Sequence, residues 1–242
     1  MNYLELQNEC ASALERAGIG NFRNESRWLV LETLQLPASA LYSDCPVSLE
    51  DITFVRKQCA RRCQHEPLQY ILGSAPFAEL ELNVDPNVLI PRSETVILVE
   101  YALDKSPGAL KVASGNARML ELESRVKFFE SDLLSGVPAM KFDCIAANLP
   151  YVTEEEYALL ADDVRLFEPE MALTAPDEGM ALISRLIVSA PEYLNTNGCL
   201  ALEMAPPQTA RAVRELEARG FGQTEVFADQ FGKKRFAAGR WR

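Results

Sequence analysis

Phe142-Asp143-Cys144-Ile145-Ala146-Ala147 runs straight into Asn148-Leu149-Pro150-Tyr151, and this stretch decides the fold. The first six residues are nearly all apolar, as expected of a strand covered on both faces in a parallel sheet. Val126-Lys127-Phe128-Phe129 before it and Cys199-Leu200-Ala201-Leu202-Glu203-Met204 after it read as further strands. Helical patterns at about 106–121, 178–194 and 207–219 alternate with them, and strands near 223–228 and 234–240 end the chain. Such alternation predicts a mostly parallel sheet with helices on both faces. The two adjacent final strands predict an antiparallel edge.

Further upstream the texture differs. Residues 2–17 place Leu6, Cys10, Ala13, Leu14 and Ala17 on one helical face. Residues 24–35, with Trp28, Leu29, Val30, Leu31 and Leu34, predict a buried helix. Ser48-Leu49-Glu50-Asp51 resembles a capping box opening a helix with Ile52, Val55, Cys59 and Cys63 at helical spacing. Its other face carries Arg56, Lys57, Arg61 and Arg62, which read either as a solvated face or as a small docking patch for an acidic partner or RNA. Phe77–Val84 alternates as a half-buried strand does, and Val88-Leu89-Ile90 is expected as its hairpin partner. Ser93 can cap a helix over 94–101. The expected organisation is a helical bundle over 1–66, a β-hairpin linker over 67–93 and an α/β domain over 94–242.

Composition narrows the function classes. The 242 residues are 48% hydrophobic and 24% charged, which excludes a mainly disordered chain. No apolar run approaches a membrane span, and Met1-Asn2-Tyr3-Leu4-Glu5 has no leader character. Net charge is -11, concentrated beyond residue 66, so strong general nucleic-acid binding is not expected. The scatter of six cysteines suits a cytoplasmic protein with reduced thiols. Cys59 and Cys63 lie four apart, but the only histidine is His65, so no metal site is expected.

The chemistry sits in Asn148-Leu149-Pro150-Tyr151. Ligands of open α/β sheets bind beyond the carboxyl ends of strands. There, the Asn148 side-chain oxygen and the Leu149 carbonyl can each accept from one planar NH2 group. Pro150 stiffens the turn and Tyr151 offers a ring to stack on. Two acceptors aimed at one nitrogen turn its lone pair toward an electrophile. An ordinary strand-to-loop turn could have the same residues, and the tetrapeptide alone does not separate the two.

The tetrapeptide resembles the Asn-Pro-Pro-Tyr-type motif of S-adenosylmethionine-dependent methyltransferases that act on planar nitrogens. Glu66-Pro67-Leu68-Gln69-Tyr70-Ile71-Leu72-Gly73, Phe77 and Val88-Leu89-Ile90-Pro91-Arg92-Ser93-Glu94-Thr95 resemble the linker of the HemK/PrmC family, the peptide chain release factor glutamine methyltransferases. Phe167-Glu168-Pro169-Glu170-Met171-Ala172-Leu173, Asp177-Glu178-Gly179 and Asn197-Gly198-Cys199-Leu200-Ala201-Leu202-Glu203 are similar to later parts of that family. The resemblance implies a Rossmann-like methyltransferase sheet behind an N-terminal helical bundle and a linking hairpin. It implies S-adenosylmethionine as cofactor and release factors as partners, with the glutamine amide of a Gly-Gly-Gln loop as target. Asn148 and Tyr151 would then be catalytic, Asn148 to Tyr151 would hold the substrate, and Asp104, Asp132, Leu133 and Asn148 would contact the cofactor. Two other readings stand beside it: a non-catalytic homologue that binds release factors, and an RNA adenine methyltransferase, since Asn-Leu-Pro-Tyr also resembles ribosomal RNA adenine dimethyltransferases.

One departure from the family is large. Its first strand ends in a glycine-rich loop that lets backbone approach the cofactor where a Cβ would clash. Here Glu100-Tyr101-Ala102-Leu103-Asp104-Lys105-Ser106-Pro107 joins two helical patterns directly, and no glycine occurs from residue 74 to residue 107. A unit of roughly 25–30 residues, about one βα repeat, is missing. The expected sheet therefore lacks its first strand, and cofactor binding is expected to be weak or lost.

Overall fold

The computed structural model describes residues 1–43, 45–77, 80–91 and 101–242, with Tyr101 described in its backbone alone. They fall into two compact units, 1–74 with 161–167, and 75–160 with 168–242.

The first unit is helical. Asn2 opens α1 (Tyr3–Arg16) with a reciprocal capping box, its side chain accepting from Glu5 N while Glu5 accepts from Asn2 N, both at 2.9 Å. Helix α2 (Phe22–Thr33) and helix α3 (Leu49–Arg62), capped by Ser48, complete the core, with α4 (Leu68–Leu72) against them. Leu6, Leu14, Leu29, Val30 and Val55 are fully buried at its centre. Trp28 departs from expectation. It is 49% exposed, because α2 buries the neighbouring Leu29-Val30-Leu31 arc instead. The basic face of α3 is also not a free patch. Arg56 makes a bidentate pair with Glu9, Arg61 pairs with Glu66, and buried Arg62 pairs with Glu25 at 2.5 Å. Among the described residues only Lys57 of the four basic groups lacks an acidic partner, so the charge is spent inside the bundle.

The second unit carries three sheets among the described residues. Strands β1 (Ser74–Phe77) and β2 (Leu80–Asn83) pair with each other. The single strand expected over Phe77–Val84, with Val88–Ile90 as partner, is thus corrected. Asp85 holds a turn through Asn87 N at 2.8 Å and accepts from Val88 N at its carbonyl, and Ile90 buries its side chain without joining a strand. The helix expected over 94–101 falls mostly outside the described residues, and its last position, Tyr101, instead opens β3 (Tyr101–Asp104).

Strand β3 pairs in parallel with β4 (Lys127–Glu130), with α5 (Pro107–Met119) between them in sequence and packed on both. The third sheet has four strands: β5 (Phe142–Asn148), β6 (Leu194–Glu203), β7 (Phe221–Ala228) and β8 (Lys234–Trp241). Their order is β5-β6-β8-β7, with β5 and β6 parallel and β8 antiparallel to both neighbours. Helices α8 (Ala181–Ser189) and α9 (Thr209–Arg219) supply Met180, Ile183, Ile187, Ala212 and Leu216 to a core shared with Leu200, Leu202 and Met204. Short helix α6 (Glu154–Tyr157) follows β5, and the next, α7 (Asp162–Phe167), belongs to the first unit.

This is the expected parallel α/β pattern with an antiparallel end, cut in two. Among the described residues no strand joins β3 to β5. The consequence shows in β5, which was expected to be covered on both faces. It is the terminal strand of its sheet, only Ile145 is buried, and Asp143, Cys144 and Asn148 are exposed.

Candidate functional site

The carboxyl end of β5 delivers Asn148 to the sheet edge, with its side chain exposed. Its register partner on β6 is Glu203, which is buried. Residues in register on neighbouring strands point to the same face, so amide and carboxylate leave the sheet together. Leu149 and Tyr151 are partly buried against the main core, which pins both ends of the Leu149-Pro150-Tyr151 turn. Among the described residues nothing donates to the Leu149 carbonyl. The acceptor pair expected from sequence, the Asn148 amide and the Leu149 carbonyl, is thus consecutive in the chain at the end of the strand that is terminal among the described residues.

What holds this loop was not legible in the tetrapeptide. Tyr151 N and Val152 N both donate to Leu173 O, at 3.1 and 2.9 Å, and Ala175 N returns a bond to Val152 O at 3.0 Å. Gln208, only 7% exposed, donates through Nε2 to Tyr151 O and to Glu178 O, each at 2.8 Å, and accepts from Ala205 N at 2.9 Å. Asp177, Glu178 and Gly179 are successive left-handed residues, with φ of 59°, 54° and 78°. A Cβ on Gly179 would stand 1.9 Å from Tyr151 O, so the backbone approach there requires glycine. Arg211 of α9 grips Asp177 and Glu215, and its guanidinium holds the Asp177 carboxyl below the usual carboxylate range. Gln208 and Arg211 were not singled out in the sequence. The run Pro206-Pro207-Gln208 opening a helix was the available signal.

The expected cofactor residues lie at the ends of β3 and β4. Asp104 ends β3 with an exposed carboxylate, one oxygen of which accepts from Ser106 N at 2.7 Å. Ser106 then caps α5. Asp104 therefore serves the turn into the helix from an exposed position at the strand end. Asp132 lies two residues beyond β4 and pairs with Arg185 of α8 at 3.0 Å. The Arg185 hydrogen bond holds its carboxyl below the usual range, with Lys105 adding to the effect. Leu133 follows with φ 54°, its carbonyl accepting from Ser131 Oγ at 2.6 Å, and Ser131 Oγ in turn accepts from Gly136 N at 2.8 Å. Buried Ser131 thus shapes the loop that presents Asp132 and Leu133. A cleft of about 520 Å³ opens beside them, lined by Asp132, Leu133, Ser184, Arg185 and Tyr193.

These residues fit S-adenosylmethionine in part. Two carboxylates at the ends of neighbouring parallel strands suit a ribose and an amino-purine, which offer hydroxyl and N–H donors. Among the described residues the methionine end finds no counterpart. No strand among them joins β3 to β5, and the sequence has no glycine from residue 74 to residue 107 to permit a close backbone approach.

Comparison with known proteins agrees with this architecture. The model of the PrmC N-terminal domain matches residues 5–73. The release factor glutamine methyltransferase of Geobacter sulfurreducens is 31% identical, over 94% of this chain and 92% of that protein. That of Pseudomonas aeruginosa is 34% identical, over 75% and 78% respectively, and that of Chlorobaculum tepidum 30%, over 86% of each. The Geobacter alignment spans 264 positions, more than the 242 residues present here, so that relative carries internal residues this chain lacks. On the strength of these whole-length similarities, the chain belongs to the release factor glutamine methyltransferase family.

Proposed function

We propose that this chain acts on peptide chain release factors, methylating the glutamine side-chain amide of their Gly-Gly-Gln loop, with a weakened hold on S-adenosylmethionine. The observation that supports it most is the acceptor loop, an exposed Asn148 beside the Leu149 carbonyl, braced from beneath by Gln208 and Gly179.

An amide nitrogen is a poor nucleophile because its lone pair is delocalised into the carbonyl. The residues here are suited to orientation, with no strong base required. Asn148 Oδ1 and the Leu149 carbonyl oxygen would each accept one hydrogen of the glutamine NH2. That fixes the amide plane and directs the nitrogen lone pair away from both acceptors. Pro150 and Tyr151 would wall the slot and exclude water from it. S-adenosylmethionine, when bound, supplies the electrophilic methyl on its sulfonium. Asp104, Asp132 and the Leu133 backbone would hold its adenosine half.

The absence of a strand joining β3 to β5 among the described residues favours a second reading, in which the chain binds a release factor and transfers no methyl group. An RNA adenine substrate has less support, given the charge of -11 and the family membership. Two measurements separate the readings. Methyl transfer to an intact release factor by the 242-residue protein, lost in Asn148→Ala, supports the first reading. Release-factor binding with no transfer at any cofactor concentration supports the second. Calorimetric titration with S-adenosylmethionine should give an affinity weaker than micromolar, and micromolar binding would refute the weakened hold.

A further inference from the structure

The β7–β8 hairpin ends in Asp229-Gln230-Phe231-Gly232-Lys233, and this tip is built with care. The Asp229 side chain is 1% exposed. Its Oδ1 accepts from Phe231 N at 2.9 Å and from Lys233 N at 2.8 Å, and its Oδ2 lies 3.2 Å from Arg235 Nε. The backbone closes beneath, with Asp229 N donating to Lys233 O at 2.8 Å and Gly232 N to Asp229 O at 3.0 Å. Gly232, at φ 78°, supplies the left-handed turn position. A buried carboxylate is thus used to fix a turn whose product is an aromatic ring held out in water. Phe231 is 69% exposed, Phe227 nearby is 47% exposed, and Lys233 and Lys234 are exposed beside them. With Arg235 occupied by Asp229, the two lysines form a local positive pole on a chain of net charge -11.

The place of this tip in the sheet gives it meaning. Asn148 is in register with Glu203, Glu203 with Phe236, and Phe236 with Phe227. Strands β5, β6 and β7 all run antiparallel to β8, so the tip leaves the sheet at the same end as Asn148, the edge formed by the carboxyl ends of β5, β6 and β7. The hairpin base at Phe236 is two strand spacings from Asn148, about 10 Å. A folded protein whose glutamine loop enters at Asn148 would extend across this edge, whereas a short peptide would end before it.

We propose that Phe231, Lys233 and Lys234 form a docking finger for the protein substrate, taking an acidic, partly apolar surface beside its glutamine loop. This rests on the release-factor reading above. Charge complementarity favours an acidic protein surface. Two lysines neutralise too few phosphates to hold a nucleic acid against the charge of the whole chain. Opposite charge at an interface rim acts through encounter and salt dependence, and an exposed aromatic through desolvation on contact.

The test is the affinity of the full chain for an intact release factor and for a short synthetic Gly-Gly-Gln peptide, at low and high salt. K233E/K234E should weaken release-factor binding by about tenfold or more and remove most of its salt dependence. K233Q/K234Q should have an intermediate effect, and Phe231→Ala should cost about fivefold. Peptide affinity and the thermal midpoint should stay unchanged in all of them. Release-factor binding equal to the parent's in these variants overturns the finger while leaving the release-factor reading standing. Equal loss of peptide binding overturns it too, since the effect would then act through the Asn148 loop. Loss of affinity for a single-stranded RNA oligonucleotide in place of release factor would assign the finger to nucleic acid and overturn the proposal. A parent chain that does not bind release factor at all removes both readings.

Discussion

The strand pair β3–β4 and the four-stranded sheet that begins at β5 are built to different standards. On the acceptor side, the loop after β5 is fixed by groups that are themselves buried: Gln208 beneath Tyr151, and Gly179 packed on the same carbonyl. On the proposed cofactor side, β3 and β4 are four residues each, the Asp104 carboxylate is tied into its own turn, and Asp132 is held by an arginine that is 53% exposed. A site held by desolvated hydrogen bonds keeps its shape without a ligand, because releasing any one of them strands a buried polar group. A site held by exposed ion pairs does not carry that penalty. The proposed acceptor half is therefore preorganised, and the proposed cofactor half lacks comparable buried bracing among the described residues.

The sharpest way to break this contrast is Gly179→Ala. The new Cβ meets Tyr151 O and Gln208 Nε2, and the residue keeps a left-handed conformation that alanine resists. A stability loss of roughly 3 kcal/mol is expected from urea unfolding, with release-factor binding falling alongside. A loss below about 1 kcal/mol would mean that the loop yields freely and is not preorganised.

Gln208→Leu comes next. It removes the donor to Tyr151 O and Glu178 O and the acceptor for Ala205 N, and should cost about 2 kcal/mol. Gln208→Glu retains the acceptor for Ala205 N but loses the amide donor, so it should rescue only part of that loss at neutral pH. If leucine and glutamate variants match the parent, the bracing of Tyr151 lies elsewhere.

These two residues also mark where the sequence stops being informative. Asn148 to Tyr151 could be read because the groups proposed to do the chemistry are consecutive along the chain. Gln208 reaches Tyr151 from 57 residues away and Glu178 from 30, and nothing in its local pattern announces a partner. The apolar run 142–147 is a strand as expected, yet it is not covered on both faces, since coverage belongs to neighbours and among the described residues β5 has a strand on one side alone. Alternation over Phe77–Val84 identified extended chain without showing that it divides into two paired strands. In α2 the helical period was right, but a half-turn choice of face put Leu29-Val30-Leu31 inward and left Trp28 half outside. The basic face of α3 could not reveal that its partners Glu9 and Glu25 sit on other helices.

On the cofactor side a smaller effect is expected from Ser131→Ala. Its hydroxyl is a buried tie there, bonding Leu133 O and Gly136 N. About 1 kcal/mol should be lost in urea unfolding. A loss as large as that of Gln208→Leu would erase the contrast between the halves.

The smallest effect belongs to Arg185→Ala, and it is read by titration. Arg185 hydrogen-bonds the Asp132 carboxylate and holds its folded-state value below the ordinary ~3.9 of an unfolded aspartate. A depressed carboxyl stabilises the fold fully above the unfolded value, and the contribution disappears as pH falls through the lower, folded value. Removing Arg185 should therefore return the Asp132 titration, followed by carboxyl-carbon NMR, upward toward the ordinary range. Lys105 leaves a residual depression. Stability at pH 7 should scarcely change, because both partners are wetted and screened. Any gap between parent and variant should narrow as the pH drops below 4. An Asp132 titration that does not move would mean that the pair is not formed in solution, and the cofactor side would then be looser still than its geometry implies.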